Sequence, residues 1–283
     1  MADAIHGNTQ LVATKQDLVA AMVQRELKFQ SKLLPFVSDF SSFAVKGAKT
    51  VSFPRLASFT AVDRASGAAG DATTILSSTD QLALDKAAYV AYIIDSQDSI
   101  QSVLNYELEC AKRAASAHAR FVDTTILANV ESEAEATATI SALITRDVIL
   151  EMRTKYLKQF GLISEAALWI SPAQEEAMLK IASFTEAQVY GNANIPSGVI
   201  GSVYGIPVVV HAGMSDAQYY LVGKGGLAIA FQQSPMMSEQ GANEYGAGAK
   251  RVAIDQLFGT KGLQIAEAGA AVGKSALMIK DGN

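Results

Sequence analysis

Between Asp95 and about Val130 the apolar or small positions fall at Ile100, Leu104, Leu108, Ala111, Ala115, Ala119, Val122, Ile126 and Val130. Steps of four and three keep one stripe on one face of a helix. Gln101, Asn105, Glu109, Lys112, Arg113, Arg120 and Asp123 fall on the wet side. Asp95 and Ser96 are suited to cap the N-terminus, and Glu109 with Arg113 makes an i,i+4 pair in the better orientation. Such a helix runs roughly 50 Å, longer than most helices of a compact domain, and serves as a strut.

Ahead of it, Leu18, Val19, Met22, Val23, Leu27 and Leu33–Leu34 continue helical spacing from Ala13 toward Phe43, with Thr14 as a cap and Pro35 marking the end. In this amphipathic arm Lys15, Arg25, Lys28 and Lys32 outnumber Asp17 and Glu26, a balance that suits an acidic partner or a solvated face. From Gly47 the period becomes two: Val51 and Phe53 alternate with Thr50 and Ser52, Pro54 interrupts, and a second run covers Leu82, Leu84 and Tyr89 to Ile94. Ala57 to Ser78 lies between, rich in small residues, with Gly67, Gly70 and Asp71 at its tip. Such a two-stranded projection cannot build its own core, and an isolated hairpin is marginal in water. It needs a surface to lie on, and its length favours a neighbouring subunit.

After the helix, the acidic Glu131 to Thr139 reads as a domain boundary. A mixed pattern follows: a helix from Ser141 to Phe160 closed by Gly161, a buried strand Ala166 to Ile170, a helix Pro172 to Ile181, and a loop Tyr190 to Ser197. Strands are expected within Val199 to Val210, at Tyr219 to Val222 and at Leu227 to Phe231, the last two joined by the Gly223–Gly226 turn. Arg251 to Phe258 and Gly262 to Ile265 read as a hairpin about Gly259-Thr260-Lys261.

Composition narrows the function. With 283 residues, 49% hydrophobic and 18% charged, the chain can bury a sizeable core in one large or two modest domains. A net charge of -5 argues against a generally basic nucleic-acid surface, so any contact with nucleic acid is weak. One cysteine, Cys110, excludes an intrachain disulfide, fits a reducing compartment and reads as a small packed residue. Met1 to Gln10 has no secretory pattern, and no apolar run approaches a membrane span.

Constructed chemistry is missing. Gly198, Gly201 and Gly205 do not make a dinucleotide fingerprint, and Gly223-Lys-Gly-Gly226 lacks the spacing of a phosphate loop. His6, His118 and His211 have no metal-ligand spacing, and Glu175–Glu176 and Glu131–Glu133 read as solvated carboxylates. No catalytic residue, metal or cofactor is expected.

The pattern Gly-x-x-Gly-x-x-x-Gly-Ile-Pro-Val-Val-Val from Gly198 to Val210, followed by Tyr219-Tyr-Leu-Val222, resembles a segment of tailed-bacteriophage major capsid proteins. The order of the chain is also similar to the Hong Kong 97-like capsid fold, an α+β architecture. The resemblance implies an N-terminal arm at 1–46, an extended β-hairpin loop at 47–85 and a peripheral domain with a long spine helix at 86–137. An α/β axial domain at 138–232 follows, and 233–283 returns to the peripheral domain.

The implied function is structural. Many copies self-assemble as pentamers and hexamers into an icosahedral shell around double-stranded DNA, with portal and scaffolding proteins and possible decoration proteins as partners. Loop residues Arg55, Arg64, Gly67, Gly70 and Asp71 are expected at inter-subunit contacts. Arg25, Lys28 and Lys32 of the arm are expected to meet scaffold or the inner face. Members that crosslink use a loop lysine, whereas between Lys49 and Lys86 this chain has only Arg55 and Arg64 as basic residues, so no crosslink is expected. With only a short stretch before Thr14, a separate scaffolding protein is the expectation. The net charge implies an inner wall that repels DNA weakly. Assembly in the host cytoplasm gives a virion capsid. An encapsulin-like compartment shares the fold and differs in contents; a soluble α/β enzyme with Tyr204, His211 and Tyr219 lining a cleft, or an accessory binding module, are the other readings.

Overall fold

The computed structural model describes residues 31–56, 77–95, 106–137, 143–160, 163, 165–181, 199–240, 249–263 and 275–280. In chain order the strands are β1 (Ser38–Asp39), β2 (Thr50–Leu56), β3 (Ser77–Ala83), β4 (Lys86–Ile94), β5 (Ala134–Ala136), β6 (Ala166–Ile170) and β7 (Val199–Val203). They continue as β8 (Ile206–Val210), β9 (Tyr219–Gly223), β10 (Leu227–Gln240), β11 (Lys250–Gly262) and β12 (Ser275–Lys280). The helices are α1 (Tyr106–Glu133), α2 (Arg146–Phe160) and α3 (Pro172–Leu179). The chain forms two units, one from Met1–Ser31, Lys86–Asp123 and Gln233–Phe258, the other from Lys32–Asp85, Thr124–Gln232 and Gly259–Asn283.

No glycine or proline interrupts the sequence from Asp95 to Phe160, and nothing in α1 breaks its hydrogen-bond ladder. Its 28 residues make a rod of about 42 Å. The part of the expected helix at 96–105 lies outside the described residues. The buried face runs through Ala114, His118, Val122, Ile126 and Val130, not through Ala115 and Ala119. Alanines stand at 111, 114, 115, 117 and 119, so this turn of the helix offers no hydrophobic contrast and the stripe is ambiguous in sequence. Asp123, expected in water, is buried instead and accepts a hydrogen bond from Ser31 Oγ at 2.6 Å. The stretch from Glu131 is the last turn of α1 running straight into β5.

In the first unit β4 pairs antiparallel with β11, from Lys86 opposite Phe258 to Ile94 opposite Lys250. Ala88, Ile94, Val252, Ile254 and Phe258 are buried, and the Phe258 ring meets Phe121 edge-on at 5.9 Å. In this sheet β11 stands between β4 and the later part of β10. Strand β11 continues through Gly259 to Gly262, so the expected turn at Gly259-Thr260-Lys261 is straight strand. Glycine is required at 259 for another reason: a Cβ there would run into the carbonyl oxygen of Ala83. Gly262 is likewise closed off by the Glu133 carboxylate and Met278.

The second unit is built on a six-stranded sheet in the order β5-β12-β9-β6-β8-β7. Its central strands β6 and β9 are buried along their whole length, which is why both read as unbroken apolar runs. On one face α2 lays Val148, Met152 and Tyr156 against Leu168, Ile170, Tyr219 and Leu221. On the other, Trp169 is fully buried with Phe36 edge-on at 6.5 Å. Residues 34–43 are therefore wall: a short 3-10 turn at Leu34–Phe36, then β1 parallel to β10, then a second 3-10 turn at Ser41–Phe43, while the helix expected ahead of Pro35 falls mostly on 13–30, outside the described residues. Pro35 suits the start of such a turn, where its missing N–H costs nothing. Helix α2 begins at Arg146, five residues later than the expected Ser141, and 141–142 lie outside the described residues, as do Gly161 and the loop Tyr190 to Ser197.

The β7–β8 connection is a tight turn with Tyr204 at φ 50 and Gly205 at φ 82. Two successive positive φ values match the right-handed twist of the hairpin they join. Strand β12, between β5 and β9, has no counterpart among the expected elements. Among the described residues no helix is long and apolar enough to cross a membrane.

Candidate assembly surfaces

Strands β2 and β3 pair as an antiparallel ribbon, with Thr50 opposite Ala83 and Leu56 opposite Ser77. Period-two patterning puts Val51 and Phe53 on one face with Leu82, and this face closes a small core with Ala228 and Ala230. Phe40 packs against Phe53 with ring centroids 4.7 Å apart. The ribbon is a two-stranded sheet of its own, and a proline is tolerated at position 54 because such a ribbon has open edges. Arg55 stands in β2 opposite Ser78. Arg64, Gly67, Gly70 and Asp71 lie outside the described residues, as do Arg25 and Lys28. Lys32 is half-buried, its Nζ 3.5 Å from the Val210 carbonyl.

Just before the ribbon, Phe43 to Lys46 forms a small rigid knob. Val45 N donates to the Phe43 carbonyl at 3.0 Å and Ala48 N to the Val45 carbonyl at 3.0 Å. Gln232 Nε2 binds the carbonyls of Val45 and Ala48 at 2.9 and 2.8 Å. The knob presents Phe43 and Val45 to solvent. In the other unit the outward face of β4 carries Ala87, Tyr89, Ala91 and Ile93, all exposed. Opposite them on β11 stand Leu257, Asp255, Ala253 and Arg251, and the Arg251 guanidinium donates to the Tyr89 hydroxyl. Sequence reasoning passed over both surfaces. The signal was present in Lys86-Ala-Ala-Tyr-Val-Ala-Tyr-Ile-Ile94, a run apolar on both faces, which implies cover on both.

The groups considered for chemistry have structural occupations. His211 Nδ1 accepts from Gly213 N at 3.0 Å, closing its own loop. Tyr219 is fully buried in the core, and Tyr204 packs onto that core from the turn. Exposed Glu176 pairs with Lys180 at 2.6 Å, and that hydrogen bond holds its carboxyl below the usual range. Cys110 is half-buried on α1; burial pushes its thiol up, Arg113 opposing and Glu109 adding, which disfavours the thiolate. Among the described residues no group of histidine, cysteine, aspartate and glutamate is placed to hold a metal.

The described residues present exposed apolar and strand surfaces, and the comparisons name the kind of protein that uses such surfaces. The sequence matches the phage capsid protein family over residues 93–272. No curated protein matches. The fold is similar to that of a Mycobacterium phage Che8 protein at TM-score 0.70 and 17% identity, covering 89% of this chain and 91% of that one. The head of Helicobacter pylori bacteriophage KHP40 gives 0.69 at 11% identity, covering 89% and 90%. The mature capsid of bacteriophage PhiM1 gives 0.65 at 15%, covering 89% and 87%. With well over half its length matched by the family, the chain belongs to the phage capsid protein family and is a major capsid protein.

Proposed function

We propose that many copies of this chain assemble, as pentamers and hexamers, into an icosahedral shell that encloses double-stranded DNA. Family membership, joined to a fold likeness spanning nearly the whole chain, carries this reading. The physical counterpart is the β2–β3 ribbon, whose base is held by Val51 and Leu82 while its continuation has few large apolar residues with which to make a core. A neighbouring subunit supplies the missing buried surface, and assembly stabilises what the monomer cannot. Arg55, Arg64, Gly67, Gly70 and Asp71 contribute to that inter-subunit contact. Arg25, Lys28 and Lys32 are the arm's contact with a scaffolding protein or the inner face, and portal and decoration proteins complete the head. A chain of net charge -5 holds DNA without gripping it, since strong phosphate binding needs clustered cations. Assembly takes place in the host cytoplasm.

The test is negative-stain microscopy with light scattering on the chain expressed alone and with its scaffolding protein. Closed shells or capsomer rings support the reading, and a stable monomer under both conditions overturns it. On a denaturing gel, shell protein is expected as a single 29.9 kDa band, because no lysine lies between Lys49 and Lys86 to reach a crosslink from the loop tip; a covalent ladder would refute that.

A further inference from the structure

Two exposed apolar displays, one in each unit, are built with a rigidity that solvent does not require. Phe43 and Val45 are 63% and 66% exposed, and Tyr89 and Ile93 are 54% and 58% exposed. Contiguous apolar surface of this kind marks a place where a partner sits. The knob is fixed by Gln232 and by stacking of Phe43 near Phe40, with ring centroids 6.2 Å apart. The face is fixed by Arg251, which holds the Tyr89 ring across the sheet. Fixing a tyrosine and its arginine beforehand removes the entropy cost of ordering them on contact, and these residue types dominate binding hot spots.

The charges say what sits there. Lys46 is exposed at the tip of the knob and has no acidic partner among the described residues. Asp255 is exposed directly opposite Tyr89 and has no basic partner among the described residues. Arg251, the other charge that β11 sets opposite these β4 residues, is engaged with Tyr89. An apolar pair flanked by a lysine therefore complements an apolar pair flanked by an aspartate, both carried by the same chain.

We propose that the Phe43–Lys46 knob of one copy seats on the Tyr89–Ile93 face of the next, with Lys46 beside Asp255. Because the two patches differ, the contact is heterologous and propagates head to tail, the arrangement that closes into rings. It is too small to hold a dimer in dilute solution, where a specific interface buries about 800 Å² on each partner. Its effect is felt where many weak contacts act together. The inference rests on the shell-forming reading above and names one of the contacts it requires.

Charge reversal separates the two. The chain and its variants Lys46→Glu, Asp255→Lys and the double reversal are expressed with scaffolding protein, and closed shells are counted after sedimentation. Circular dichroism melts confirm that each variant folds, as expected for exposed positions. Each single reversal is expected to lower shell yield about tenfold or more, and the double reversal to restore most of it. Ile93→Asp is expected to abolish shells without changing the melt. Wild-type yield from the single reversals overturns the contact, assigning the face to another occupant while leaving the shell reading intact. Loss in the singles without recovery in the double overturns the pairing of Lys46 with Asp255. Failure of the wild type itself to form shells overturns the shell reading, and this contact with it.

Discussion

The carbonyl oxygen of Ala83 lies within the space that a Cβ on Gly259 would occupy, so the end of the β3 strand and β11 approach at backbone distance. Alanine at 259 must push backbone away, since Ala83 C and the Leu82 side chain also stand only 2.9 Å from the added carbon. Gly259→Ala is expected to destabilise the fold by about 2 kcal/mol, as overpacking does. A urea midpoint that falls at unchanged m-value confirms this, and an unshifted midpoint shows that the ribbon base yields freely.

Gln174 is fully buried and serves two backbone groups at once. Its Oε1 accepts from Ile144 N at 2.6 Å, and its Nε2 donates to the Asp216 carbonyl at 2.6 Å. Gln174→Leu leaves the buried Ile144 N–H unpaired and takes one donor from the Asp216 carbonyl, which keeps Ser171 Oγ at 3.3 Å, with an expected loss of about 2 kcal/mol. Denaturant unfolding measures it, and a loss no larger than that of an ordinary surface substitution would mean that water replaces the amide.

Tyr156 is buried against β9, and burial, with the Glu165 carboxylate adding, raises its phenol above the ordinary tyrosine value of 10.0. The folded state therefore keeps this proton at pH values where the unfolded chain has begun to lose it. The stabilisation from holding the neutral phenol is complete below about pH 10 and is lost as pH rises through the folded-state value. Tyr156→Phe has no such proton, so its thermal midpoint should decline less steeply in strong alkali than that of the wild type. Parallel alkaline limbs would contradict the burial argument.

Two truncations divide the arm from the body. Removing residues through Phe43 takes away Leu33, which is fully buried, and Phe36 from the face of Trp169, so the second unit should melt at a lower temperature. Removing residues only through Gln30 leaves that wall in place and should reduce scaffold-dependent assembly without moving the melt of the second unit. An unchanged shell yield after the shorter deletion counts against a role for Arg25 and Lys28 in assembly.

Much of the architecture was legible because its elements bury one clean stripe. Strands β6 and β9 read as unbroken apolar runs, α3 announced itself with Pro172 in its first turn, and Val51, Phe53 and Leu82 gave a period of two. What was illegible shares a cause: local signals with two physical meanings. A glycine marks a turn at Gly205 but close backbone approach at Gly259, and only the neighbour Ala83 distinguishes them. Alanine on every side of α1 conceals which face is buried, and the polar His118 sits inside where Ala119 was expected. Asp123 reads as solvated until Ser31, distant in sequence, supplies its donor. The candidate surfaces failed for a related reason, since the outer residues of β4 look like core until the sheet shows which side is covered.

Trp169 is the chain's single tryptophan, and it lies fully buried in β6 with no hydrogen-bond partner for its Nε1 among the described residues. An indole in dry, apolar surroundings emits at short wavelength and shifts to the red when water reaches it. Because Trp169 and Phe36 belong to the same unit, that colour change follows the opening of one half of the subunit alone. The protein thus carries an intrinsic optical gauge that can be read inside an intact particle, distinguishing loss of the particle from loss of the subunits that make it.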